Sequence, residues 1–388
     1  MKHFFLSILA GVCLIFSVSA AHALETAARE AYLVDLSTGT VLLEKNADQQ
    51  MPTSSMSKMM TIYMLFDALK NGRYTLDDTF TVSEKAWRMG SSKQSSMYVL
   101  VGSKIRLEDL IRGVIVQSGN DATVVVAEGF SGSEEAFSQE MTEKAHALGM
   151  VNSQFMNASG LPMDGHYSTA RDLAILGLRT LTDFPEYFHY YGEKEFTWSD
   201  IKQQNRNPLI GLVAGADGFK TGHASEAGYG LVGTAERNGR RLLLVVNGLS
   251  SMSERARESQ RLLEWGFREF QPVKIVSSAE EMGQVSVWEG QYFSTPAIAT
   301  RDVSVSLDAV GKKALKVTLV TKEPIQAPVK KGQEIGTLRI EAPGMVQEVP
   351  LVAAIDVPRL GFLGRIINNL RHLVGGDAQP EDEEGISE

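Results

Sequence analysis

The sequence predicts an α/β (α+β) chain in which a domain built on an antiparallel sheet flanked by helices is followed by a small all-β domain. Three observations carry this. The 388 residues are 43% hydrophobic, too many for one average domain and enough for a sizeable core. Strand signals stand at both ends of residues 24–271 with helical patterns between them, as expected of a sheet assembled from both ends and covered by helices. After Pro272 the texture changes to short alternating strands separated by Gly and Pro.

At the N-terminus, Lys2, an apolar run over residues 4–18 and the small-x-small Ala21-His22-Ala23 read as a secretory signal over residues 1–23, with the mature chain starting near Leu24. The run falls short of the ~20 residues a membrane span needs, which disfavours a retained membrane helix. Cys13, the only cysteine, lies inside that signal without a lipid-modification box. An exported chain without thiols must rely on its core, and zinc-thiolate or cysteine-nucleophile chemistry is excluded. A net charge of -9 argues against a nucleic-acid partner. Much of the acidity is terminal, at Asp377, Glu381, Asp382, Glu383, Glu384 and Glu388.

Residues 31–44 read as strand, Ser37-Thr38-Gly39-Thr40 turn, strand. Met59, Met60, Ile62, Tyr63, Leu65, Phe66 and Leu69 mark a helix that Asn71-Gly72 can end, and a second helix runs over residues 107–116. Strands 228–236 and 241–248 pair across Asn238-Gly239, a strong hairpin turn. A helix over residues 253–270 closes this domain. The β domain, 272–358, shows Val285/Val287, Val303/Val305/Leu307 and Leu315/Val317/Leu319. Beyond it, over residues 359–388, Leu360, Leu363, Ile366, Ile367, Leu370 and Leu373 or Val374 recur at helical spacing beside Arg365, Arg371 and His372, followed by the acidic tail. That segment is too short and charged to cross a bilayer but suits a helix lying in a membrane surface; the alternative is a helix docked on its own β domain.

Three short motifs carry chemistry. Ser55-Met56-Ser57-Lys58 is a Ser-x-x-Lys, a pattern expected about once or twice by chance in such a chain, and Ser199 to Lys202 is a second copy. Context separates them: Ser55 opens an apolar helix, whereas Ser199 sits in a polar segment. On a helix start the Lys58 amine lies one turn from the Ser55 hydroxyl, and the free N–H groups there can receive an oxyanion. Ser118-Gly119-Asn120 follows a helix and offers a hydroxyl and an amide in one short loop, though alone it would pass for an ordinary turn. Lys220-Thr221-Gly222 is rarer, expected in about one chain of this length in ten. On a strand Lys220 and Gly222 face one side, with Gly222 leaving room for a substrate backbone. Alone, Lys220 would be a solvated strand lysine.

In this order the motifs resemble the signature of penicillin-binding proteins and serine β-lactamases. With residues 52–61, Lys220-Thr221-Gly222-His223 and residues 262–268, nearly the whole chain resembles the low-molecular-mass D-alanyl-D-alanine carboxypeptidases. The resemblance implies a β-lactamase/transpeptidase-like catalytic domain, no cofactor, and a place on the periplasmic side of the inner membrane, held peripherally by the terminal helix. Its partners would be the peptidoglycan pentapeptide stem, β-lactams as inhibitors and the membrane surface.

Ser55 is then the nucleophile, and Lys58 can be its general base only if neutral, so burial and a second cation such as Lys220 must lower its pKa. Ser118 relays the proton to the leaving amine and Asn120 binds the peptide, as the resemblance implies. The oxyanion meets the N–H groups of Ser55 and, by family analogy, His223, whose ring reads as structural. Lys220, Thr221 and Arg255 are the groups the family pattern places at the substrate carboxylate, a structural salt bridge being the alternative for Arg255. The stretch 80–98, with Trp87, Arg88 and a serine-rich turn, is either a loop near the site or a plain surface hairpin.

Other chemistries lack their motifs. Gly129-Phe130-Ser131-Gly132 fails a Gly-x-Ser-x-Gly elbow at Ser133, and His-Glu-x-x-His and Walker A are absent. No histidine is assigned to a metal. Removal of the terminal D-alanine from pentapeptides is the leading function, with a β-lactamase and a silent cell-wall binder as alternatives. The β domain and terminal helix argue against the first alternative, and intact Ser55, Lys58 and Lys220 against the second. No Glu-x-x-Leu-Asn segment of the class A β-lactamases is present, so a β-lactam acyl group should leave slowly.

Overall fold

The computed structural model describes residues 24–91 and 94–366. The signal segment 1–23 and the terminal stretch 367–388 lie outside the described residues. Strands β1 (Glu30–Asp35) and β2 (Thr40–Lys45) form the N-terminal hairpin, followed by a 3-10 turn, Ser54–Ser57, that runs into α1 (Lys58–Lys70). Next come β3 (Thr79–Thr81), α2 (Glu84–Gly90), β4 (Lys104–Arg106), α3 (Leu107–Ile115), α4 (Asn120–Ser131), α5 (Glu134–Ala147) and α6 (Ala170–Asp183). A small hairpin, β5 (Glu195–Trp198) and β6 (Ile201–Gln204), precedes β7 (Ala216–Ala224), β8 (Gly228–Arg237), β9 (Arg240–Leu249) and α7 (Met252–Glu269).

The main sheet is antiparallel with order β2-β1-β9-β8-β7, so the two chain ends of the domain do meet in one sheet and β7 is left at an edge. Strand β9 is buried on both faces: Leu243 and Val245 point into the core shared with α1 and α6, Leu242, Leu244 and Val246 into the core shared with α7. This period-2 alternation puts helices on both sides of the sheet. Helix α1 lies at the centre of the larger core, with only Asp67 and Lys70 reaching toward solvent. An apolar surface all round is what a fully enclosed helix requires. Caps fix the other helices: Ser83, Ser133, Thr169 and Ser251 each accept an N–H from the first turn of α2, α5, α6 and α7.

The stretch 80–98 is not a plain surface hairpin: its later residues, Gln94 and Ser95, reach Asn120 as a loop near the site. It carries β3 and α2, and Trp87 and Arg88 lie on α2, with Arg88 paired to Glu84. The second Ser-x-x-Lys falls on the β5–β6 turn, where Lys202 pairs with Glu195 far from any nucleophile geometry.

The C-terminal unit contains β10 (Gln271–Val276), β11 (Glu281–Trp288), β12 (Ser294–Ala299), β13 (Val303–Leu307), α8 (Ala309–Ala314), β14 (Lys316–Thr321), β15 (Ile325–Gln326), β16 (Glu334–Ala342) and β17 (Met345–Ala353). Six strands form one sheet, β14-β16-β17-β12-β11-β15, and β10 pairs with β13. Its core is small and aliphatic, around Val285, Val305, Leu338, Ile340 and Leu351. A buried ion pair stitches it to the main sheet: Asp35 binds Arg240 at 2.6 Å and also accepts the Ser306 hydroxyl of β13 at 2.6 Å. Residues 362–366 begin a helical turn. Among the described residues no helix is long and apolar enough to cross a membrane.

Candidate active site

Ser55 lies not on a helix proper but on the 3-10 turn ahead of α1, whose first residue is Lys58. The tighter 3-10 winding stacks residues three apart, and Lys58 Nζ sits 3.0 Å from Ser55 Oγ. Lys58 is 1% exposed, whereas Ser55 is half-open to the cleft. Two carbonyl-type acceptors also hold the amine, Asn120 Oδ1 at 2.6 Å and the Ser159 main-chain oxygen at 2.7 Å. A neutral amine has two N–H bonds and one lone pair. With both N–H groups spent on Asn120 and Ser159, the lone pair is aimed at the Ser55 hydroxyl.

The electrostatics suit that state. Burial, then the Arg206 cation, lower the Lys58 pKa to about 7, against a smaller opposing pull from Asp121. Arg206 is thus a cation acting on Lys58 that the sequence did not signal. Lys220 is itself held well below its usual range, by burial first and then by Lys58, Arg206 and Arg255. Its Nζ donates to Ser118 Oγ at 2.8 Å. Ser118 occupies the left-handed region at φ 58° between α3 and α4, and Asn120 is the first residue of α4. Asn120 Nδ2 donates to Gln94 Oε1 at 2.8 Å, and its N–H to the Ser95 carbonyl at 2.9 Å.

Strand β7 forms the opposite wall. Lys220 and Thr221 are buried and His223 is exposed, its ring stacked on Tyr229 at 4.0 Å between centroids. Because β7 is an edge strand, alternate peptide groups lack a ladder partner on the cleft side and can pair with an extended peptide. Gly222 lines the cleft and has a further reason to be glycine. A Cβ there would come 2.7 Å from the Thr53 carbonyl, so the glycine lets the Ser55 turn pack against β7. Gly160, at φ 80°, does the same on the other flank, where a Cβ would collide with the Ser54 carbonyl.

Ser55, Ser118, Thr221, Gly222, His223 and Arg255 line one cleft of about 480 Å³, together with Ser95, Arg206, Tyr229 and Met252. Arg255, on the first turn of α7, makes no ion pair among the described residues, its Nε has no partner, and burial pulls it down to about 10, still cationic at neutral pH. The salt-bridge alternative for Arg255 is therefore not what the structure shows. Arg206, which no motif signals, adds a second guanidinium without an ion pair among the described residues and bonds the Ser95 hydroxyl. Gln94 and the Ser159 carbonyl are likewise outside any motif. Among the described residues no group of three or more His, Asp or Glu is arranged to hold a metal ion.

Behind the nucleophile, His166 Nδ1 accepts the Met156 N–H at 3.1 Å, which leaves Nε2–H to donate to Ser57 Oγ at 2.8 Å. Ser57 Oγ in turn lies 2.6 Å from Thr53 Oγ1. The chain of bonds ties the loop that supplies Ser159 to the turn that carries Ser55.

Comparison with known proteins gives a consistent picture. Residues 17–251 match the D-alanyl-D-alanine carboxypeptidase family Peptidase_S11, and residues 270–359 match the C-terminal domain of penicillin-binding protein 5. The D-alanyl-D-alanine carboxypeptidase DacA of Escherichia coli K12 is 36% identical over 345 residues, 87% of this chain and 86% of the relative. Penicillin binding protein 5 from Haemophilus influenzae superposes with a TM-score of 0.78 at 35% identity, covering 86% of this chain and 98% of that one. Penicillin-Binding Protein D2 from Listeria monocytogenes in its ampicillin-bound form matches with a TM-score of 0.57 at 31% identity, over 63% of this chain and 99% of that one.

Proposed function

Because this chain belongs to the D-alanyl-D-alanine carboxypeptidase family, we propose that it removes the terminal D-alanine of peptidoglycan pentapeptides through an acyl-enzyme on Ser55. The observation that carries this is the buried Lys58 amine 3.0 Å from Ser55 Oγ, with Asn120 Oδ1 and the Ser159 carbonyl as its other two partners. Lys58 takes the Ser55 proton as Oγ attacks the carbonyl of the penultimate D-alanine. The oxyanion is received by the N–H groups of Ser55 and His223. The C–N bond then breaks, and Ser118, hydrogen-bonded to Lys220, relays the proton that Lys58 took from Ser55 to the departing amine of D-alanine, leaving Lys58 neutral for deacylation. Water next hydrolyses the ester, returning a proton to Ser55 and releasing the shortened peptide.

Binding follows from the same walls. The stem peptide lies along β7, its amides meeting Thr221, Gly222 and His223, and a substrate carbonyl displaces Gln94 from the Asn120 amide. Arg255 and Arg206 carry the free carboxylate that makes the reaction a carboxypeptidase one, since two unpaired guanidinium groups beside one cleft require an anion. A β-lactam would acylate Ser55 by the same route.

Export by removal of residues 1–23 and peripheral attachment to the periplasmic face of the inner membrane through residues 359–388 belong to the same proposal. Support for the attachment is the apolar stripe at helical spacing and the exposure of Phe362 and Leu363, 70% and 74%, which nothing in the described β domain covers. The test of function is release of D-alanine from diacetyl-Lys-D-Ala-D-Ala. Wild type should release it and Ser55→Ala should not. No release by folded wild type would favour a silent cell-wall binder.

A further inference from the structure

The tip of the β11–β12 hairpin is the most apolar exposed spot of the C-terminal unit apart from the start of the terminal segment. Tyr292 is 56% and Phe293 77% exposed, and neither ring packs on another aromatic group. Single exposed aromatics are unremarkable in themselves. Two adjacent ones on a tight tip, in a domain with a small aliphatic core, call for an occupant.

The tip is fastened to the residues that lead into the terminal segment. Gly290 bridges Arg359, the Gln291 N–H donates to the Pro358 carbonyl at 2.8 Å, and the Leu360 N–H donates to the Glu289 carbonyl at 2.8 Å. The Arg359 guanidinium closes on the Glu289 carboxylate at 2.6 Å. From this clamp Phe293 is three residues away on one side and Phe362 three residues away on the other. At ~3.5 Å per extended residue, each of the two aromatic residues stands no more than about 11 Å along the backbone from this clamp. On the far side of the same strand, Val329 bridges Val357, presenting Lys330 and Lys331. Both lysines are exposed and form no ion pair among the described residues, and the nearby Asp356 carboxylate is bonded to the Lys331 N–H at 2.8 Å.

We infer that the Tyr292–Phe293 tip is a second membrane-contact element, seated at the headgroup–acyl boundary of an anionic phospholipid bilayer beside the terminal segment. The inference rests on the membrane-surface reading of residues 359–388 given above. The occupant is a lipid surface because the tip, the exposed Phe362 and Leu363 and the unpaired lysines share one end of the domain. Aromatic side chains favour that boundary, and cations favour anionic headgroups. Two contacts clamped together would hold the β domain at a fixed attitude, where a single helix would let it swivel.

Flotation of the purified full chain with phosphatidylglycerol/phosphatidylethanolamine vesicles separates the outcomes. Three proteins are compared: wild type, the tip variant Tyr292→Ser/Phe293→Ser and the helix variant Leu363→Asp/Leu370→Asp, each with wild-type thermal melting and penicillin acylation as fold controls. The tip variant should bind roughly tenfold more weakly than wild type. Equal binding by wild type and tip variant would overturn the tip while leaving the helix reading intact. Full binding by the helix variant, with loss in the tip variant, would remove the helix and keep the tip. No flotation of wild type would end both. A change in sedimentation of the tip variant without vesicles would make a second copy of the chain the occupant and overturn the lipid assignment.

Discussion

Titrating Lys58 tests the acylation step most sharply. At its ordinary pKa of 10.5 only about one amine in three thousand would be neutral at pH 7, whereas at about 7 half of them are, a gain in available base of more than ~1,000-fold. The sign follows directly: the base works only when deprotonated, so acylation must be slow in acid, rise with pH and level off above the midpoint. At pH 5 the rate should be about one-hundredth of the plateau. Arg206→Gln removes the cation that burial is joined by, so the Lys58 pKa should rise and the whole limb should move toward alkaline pH. The assay is the second-order rate constant for benzylpenicillin acylation, followed by stopped-flow fluorescence from about pH 5 to 9. A flat profile across that range would refute Lys58 as the base, and a limb that stays in place in Arg206→Gln would refute the role given to that guanidinium.

Two further outcomes are expected. Arg255→Gln should raise KM for a peptide with a free terminal carboxylate by about 10- to 100-fold, the worth of a charge-assisted hydrogen bond, while hardly affecting acylation by an uncharged amide analogue; parallel losses on both substrates would argue for a structural arginine. For His166, burial and the Lys58 charge lower the pKa from 6.5 to about 4, so the unfolded chain binds its proton first. Stability should then be full above about pH 6.5 and fall by about 3 kcal/mol as pH drops toward 4, read by urea denaturation. His166→Gln, which can still donate to Ser57, should remove that share of the acid sensitivity.

Much of this site is written in side-chain spacing, and spacing is legible. Ser55 and Lys58 are three apart, Lys220 and Gly222 two apart, and those intervals match a helical turn and one face of a strand. The Asn238-Gly239 turn between two apolar runs likewise gave β8 and β9 their places. What stayed hidden depends on the backbone and on long-range packing. The Ser159 carbonyl that holds Lys58 belongs to no residue type, and its loop is shaped by Gly160 pressed against Ser54. Arg206 sits between Asn205 and Asn207 after the β5–β6 hairpin, with no periodicity to mark it; only the fold brings it into the cleft beside Ser55. Gly222 was legible as a required glycine, but its neighbour, the Thr53 carbonyl, is 169 residues away in the chain. The helices α4, α5 and α6 were read only as a helical region and α2 was read as loop or hairpin, since such boundaries depend on caps such as Ser83, Ser133 and Thr169 that resemble ordinary loop residues.

The central claim is that one hydroxyl, at position 55, takes the acyl group. Intact-mass spectrometry after penicillin treatment, followed by peptide mapping, measures it directly. The account expects a single adduct of one penicillin per chain, located on the peptide containing Ser55 and missing in Ser55→Ala. An adduct that persists in Ser55→Ala, or a folded wild type that takes up no penicillin, would contradict it.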